Sequence, residues 1–271
     1  MTGMSLLRGF ALPLVAFLAG VGQVAAHDFW IEPSNSTPAV GEVVRVRLRV
    51  GQNFTGDPVP RDDGAIDRFE IDGPAGRAPI DGADGVDPAG FTRVEGAGSR
   101  VLVYESRGGL VTLPAETFTR YLGDEGLEFI VQRRSRSGTS AKDARDRFHR
   151  CAKAIIVAGA ASAGMSARNG LTLELVPRSD PTSLRAGDSL PITLLFRGRP
   201  LAGALIKLLE KDAPGQANAV RTDRHGEATL TLRAGGSELV KAVWMEAAPP
   251  GSGADWDSWW ASLAFATKAK Q

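Results

Sequence analysis

The sequence predicts a mainly β fold built as two sandwich units, and three observations carry that reading. Thirty-two Gly and sixteen Pro in 271 residues supply turn signals throughout the chain, as a fold of many short strands requires. Residues 43–50 alternate apolar and charged side chains from Val44 onward, which is the period of a half-buried strand. The opening punctuation then recurs: Trp30-Ile31-Glu32-Pro33 followed by Gly41-Glu42 is echoed by Leu175-Val176-Pro177 followed by Gly187-Asp188. Two units with the same strand–turn–strand opening point to two immunoglobulin-like β-sandwich domains.

Residues 1–26 read as a signal peptide. Arg8 provides a positive start, residues 10–21 an apolar stretch, and Val24-Ala25-Ala26 a small-residue cleavage site. The apolar stretch is short of the roughly 20 residues that span a bilayer. The mature chain is therefore expected to start at His27, to lack a membrane span and to be periplasmic or secreted.

Residues 27–160 form the expected N-terminal domain. After the strand at 43–50, residues 56–98 are rich in Gly, Asp and Pro. Those Asp residues do not form the twelve-residue calcium loop with its terminal Glu, and turn chemistry accounts for them. A strand is expected at 101–104. A helical insertion near 114–150 opens at Pro114, with Phe118, Tyr121 and Leu122 on one face. The basic residues between 133 and 153 read as a solvated connection into a strand at 154–157. Residues 160–170 are small and polar, and they mark the domain boundary.

Residues 170–271 form the expected C-terminal domain, with strands near 173–177, 190–196, 203–209, 227–232, 239–245 and 259–267 separated by turn signals. Cys151 is the single cysteine, which excludes an internal disulfide and reads as a small buried residue. Lys plus Arg is 32 and Asp plus Glu is 31. That balance gives no field for nucleic acid.

The chemistry-bearing residues are few. The sequence has no Gly-x-Ser-x-Gly, no phosphate-cradling loop and no His-Glu-x-x-His, and it has only three His; no enzymatic role is expected. His27 stands apart because cleavage would leave a free α-amino group on the same residue as an imidazole. Such an amine has a reference pKa of about 7.7–8.0 and deprotonates readily to become a ligand. Amine nitrogen and Nδ1 of one histidine close a six-membered chelate, and nitrogen donors of this type suit copper, nickel or zinc. Asp28 and His149 are the candidate additional ligands, with His225 in a polar turn a weaker one.

A series of segments along the mature chain resembles one family. It runs through residues 27–33 (HDFWIEP), 118–127 (FTRYLGDEGL), 145–154 (RDRFHRCAKA), 171–181 (LTLELVPRSDP), 198–204 (GRPLAGA), 221–226 and 255–264 (DWDSWWASLA). Together these resemble the DUF4198 family of exported bacterial proteins, which is similar to periplasmic components of nickel and cobalt uptake. The resemblance implies a mostly β protein, a mature N-terminal His and a link to transition-metal handling, with a membrane transporter component as the implied partner. In the family that this chain resembles, a late strand often reads Val-His-Met where this chain has Val243-Trp244-Met245. With the resemblance added, the expected metal is nickel, cobalt or copper, and the expected function is its uptake or buffering through His27. The alternative is a non-enzymatic β-sandwich module that recognises a protein, peptide or glycan through Trp256, Trp259 and Trp260.

Overall fold

A computed structural model of the chain describes residues 27–161, 166, 168–211, 213 and 218–268. The expected signal peptide lies outside the described residues. The first half contributes β1 (Asp28–Pro33), β2 (Val43–Gln52), β3 (Thr55–Val59), β4 (Ile66–Gly73), β5 (Gly76–Pro79), β6 (Gly90–Arg93), β7 (Gly98–Ser106) and β8 (Gly109–Leu113). Helices α1 (Ala115–Asp124) and α2 (Glu128–Arg136) follow, then the long β9 (Ala144–Ala158). The second half contributes β10 (Leu173–Pro177), β11 (Ser189–Phe196), β12 (Arg199–Pro200), β13 (Leu205–Glu210), β14 (Asn218–Arg221), β15 (Glu227–Thr231), β16 (Ser237–Ala247) and β17 (Trp256–Ala266). The protein is mainly β. Among the described residues, no helix is long and apolar enough to cross a membrane.

A nine-stranded sheet forms the centre, in the order β14-β13-β16-β17-β9-β7-β4-β5, with β8 added alongside β9. Its middle is the parallel pairing of β17 with β9, from Trp256 opposite Asp146 to Ala264 opposite Ala154. Strands from both sides of the 160–170 segment therefore hydrogen-bond into one sheet. Two four-stranded sheets accompany it: β2 paired with β1, β3 and β6, and β11 paired with β10, β12 and β15.

Side chains alternate faces along a strand, and β9 shows how this layers the molecule. Ala152, Ala154 and Ile156 face β1 and β2 in one core, with Phe29, Trp30 and Ile31. Cys151, Ile155 and Val157 face β10 and β11 in another, with Leu173, Leu190, Ile192 and Trp259. Helices α1 and α2 cover the β1 side of the central sheet, where Phe118, Tyr121, Leu122 and Ile130 pack on Val243, Met245 and Trp260.

The helical insertion thus forms at 115–136, and the rest of its expected span, to residue 150, is loop and the start of β9. The basic stretch differs from the solvated connection that its composition suggests. Arg134, Arg150 and Lys153 are buried, and each is held by specific acceptors. Arg134 donates to the carbonyl oxygens of Thr139 at 3.0 Å and Ser140 at 3.2 Å, and Lys153 pairs with the buried Glu174 at 3.0 Å. Trp256, Trp259 and Trp260 are likewise buried, which removes them as a recognition surface. Cys151 is buried as expected, and burial pushes its thiol well up from the ordinary value.

Candidate functional site

The start of β1 is held down by two buried cations. Arg150 on β9 donates from Nη1 to the carbonyl oxygen of His27 at 2.7 Å. Its guanidinium lies over the rings of Phe29, Phe148 and Trp260, at 5.8, 4.9 and 5.2 Å from their centroids. Burial lowers its pKa to about 10, still far above neutrality, so the cation persists. Lys241 on β16 donates to the Asp28 carboxylate and, at 2.9 Å, to Glu125 Oε1 just beyond α1. Burial disfavours the Lys241 ammonium, but its two carboxylate partners outweigh burial and raise its pKa. Burial, aided by the charge of Glu125, raises the pKa of Asp28 against the pull of Lys241. Lys207 on β13 completes the group, 3.6 Å from Glu125 Oε2.

These residues wall a cleft of about 480 Å³ between the β1 start, the β2–β3 turn, α1 and strands β13 and β16. Asn53 and Phe54 in that turn have φ of 53° and 60°. Phe54 keeps this unusual conformation because its ring is buried edge-on to Trp30, 5.4 Å between centroids. The turn sets Gln52 and Asn53 on the cleft together with Thr117, Arg120 and Asp124 of α1.

Four residues before Arg150, on the same face of β9, Asp146 is fully buried. It accepts one hydrogen bond from Ser258 Oγ at 2.8 Å, and Ser258 also accepts from Trp260 Nε1 at 3.2 Å. The other Asp146 oxygen has no partner among the described residues. Burial is the largest cause that raises its pKa to about 7.

His27 and Asp28 come together at the cleft, and His149 does not join them. It neighbours Arg150 on β9, so it projects from the opposite face of the central sheet. There it stacks on Trp259 at 5.3 Å with rings 10° apart, and burial lowers its pKa. His225 is exposed in its turn, where its Nε2 accepts from Arg224. Among the described residues, no group of three or more His, Cys, Asp or Glu could hold a metal ion. The Asp28 carboxylate is bonded to Lys241, so it does not join His27 as a free ligand.

Sequence reasoning missed Arg150, Lys241, Glu125 and Asp146. A signal existed for Lys241: it interrupts Leu239-Val240-Lys241-Ala242-Val243, and a lone charge inside an apolar strand marks a buried pair. Glu125 carries no such mark, because a single polar residue just past a helix, beside Gly126, reads as part of a solvated turn.

The chain is similar to the D0-D1 domain of intimin, with 13% identity over 89% of this chain and 98% of that one, at a TM-score of 0.21. It is also similar to a two-domain fibronectin type-III segment from chicken tenascin, with 14% identity over 78% and 86% and a TM-score of 0.19. Likenesses this weak carry no functional reading. A search of curated proteins finds no match. The model of a domain of unknown function, DUF4198, matches residues 24–246, and the chain belongs to that family.

Proposed function

We propose that this is an exported, non-enzymatic protein that binds a divalent transition metal, nickel, cobalt or copper, through His27 as the first residue of the mature chain. Its role is uptake or buffering in the periplasm, with a membrane transporter component as partner. The observation that supports this reading is the 2.7 Å bond from buried Arg150 to the His27 carbonyl oxygen. A chelate made by one residue needs that residue's backbone fixed, and terminal residues fray unless tied down.

The donors fit half of a metal site. Amine and imidazole of His27 would supply two nitrogens, and the bound metal would act as cargo with its remaining positions open to donors from outside the chain. Arg150 and Lys241 hold the chelating residue in place without contributing ligands.

Isothermal titration of nickel into protein that starts at His27 tests this. The same chain with its α-amino group acetylated loses the amine chelate, and its affinity should fall by about tenfold or more, roughly 1.4 kcal/mol. Equal affinity of the two proteins would refute the reading.

A further inference from the structure

Two kinds of polar side chain line the cleft. Asp28, Glu125, Lys207 and Lys241 are paired with one another. Arg120 and Asp124 also line it, but among the described residues neither side chain has a hydrogen-bond or ion-pair partner, including the other. They lie four residues apart on α1, so they share a face, and both are exposed. Asp124 is the last residue of α1, and no basic residue occupies that turn. The carbonyl end of a helix carries partial negative charge, so an acid there works against helix stability. The cation at that helix end comes from β13, where Lys207 Nζ donates to the Asp124 carbonyl oxygen, and the Asp124 carboxylate itself faces the cleft.

The rest of the lining narrows the ligand. Acids and bases balance, three of each, as Asp28, Asp124 and Glu125 against Arg120, Lys207 and Lys241. A polyanion such as a nucleotide would meet the acids, and a polycation the bases. A sugar would need neither unpaired charge, and the one aromatic in the lining, Tyr121, is already stacked on Trp260 at 5.2 Å. The cleft volume of about 480 Å³ falls within the usual range for organic ligands, about 300–1,000 Å³.

We infer that the cleft binds a small zwitterion of the short-peptide class, its carboxylate on Arg120 and its ammonium on Asp124, with Gln52, Asn53 and Thr117 available to its amides. This site requires no metal and stands whether or not His27 chelates one.

The test is titration of triglycine into the processed protein in the presence of EDTA, beside N-acetyl-triglycine and triglycine amide, which each lack one charge. Triglycine should bind saturably, and each blocked form about tenfold or more weaker. Arg120→Gln should weaken triglycine about tenfold and leave the amide form unchanged, and Asp124→Asn should do the same with the acetylated form. Both residues are exposed, so unchanged thermal melts will show that the variants fold. No binding of triglycine, or equal binding of all three forms, would overturn the inference. Neither result bears on nickel binding by His27, because EDTA removes metal from every arm.

Discussion

Replacing Asp146 by Asn should stabilise the protein above neutral pH. Asp146 is fully buried, with one hydrogen bond from Ser258, and its pKa rises from 3.8 to about 7. A raised carboxyl pKa means that the folded state holds a proton which the unfolded state has released. Stability from this group is thus fully present below about pH 4 and is lost as pH rises to about 7. The shift of roughly three units at about 1.4 kcal/mol each amounts to a penalty of up to about 4 kcal/mol at pH 8. Asparagine cannot ionise, keeps the volume and can still bond Ser258, so the variant escapes that loss. Urea unfolding of both proteins at pH 5, 6.5 and 8 is the assay. The variant should already be ahead by about 1–2 kcal/mol at pH 5 and should gain roughly 3 kcal/mol more between pH 5 and 8. A constant difference across that range, or a variant less stable at pH 8, would refute the burial argument.

Other outcomes follow from the same face of the sheet and its opposite. Lys241→Met leaves Asp28 and Glu125 buried without their shared ammonium, and should cost about 3–5 kcal/mol in urea unfolding at pH 7.5. The buried Cys151 thiol, its pKa pushed up, should resist iodoacetamide at pH 8 in the folded protein and react once urea unfolds it. His149→Ala should leave nickel affinity unchanged in titration, because His149 lies across the sheet from His27. Loss of its stack on Trp259 should cost about 1 kcal/mol of stability.

The strands are legible in the sequence because burial on one face writes a period of two. Residues 43–50 and 190–196 show it, and Phe118, Tyr121 and Leu122 show the helical period in α1. The sheet order is not legible. Parallel pairing of β17 with β9 sets Trp256 opposite Asp146, and nothing local in either strand records its partner. The same limit hides the site. Asp28, Glu125 and Lys241 meet only because β1, the end of α1 and β16 converge, so Asp28 reads as a metal ligand until its ammonium partner is seen. His149 reads as a ligand because it is one of only two other histidines, and the strand decides otherwise: its neighbour Arg150 faces His27, and one residue along a strand reverses the face. His27 stands out from the sequence alone, since its importance comes from the cleavage site before it.

The metal binding proposed for His27 requires a chain that begins at that residue, and intact-mass analysis with N-terminal sequencing of the protein recovered from cells measures that directly. The predicted result is a first residue of His27, with its α-amino group free. A chain that starts at Asp28 or later, or that retains residues before His27, would contradict it.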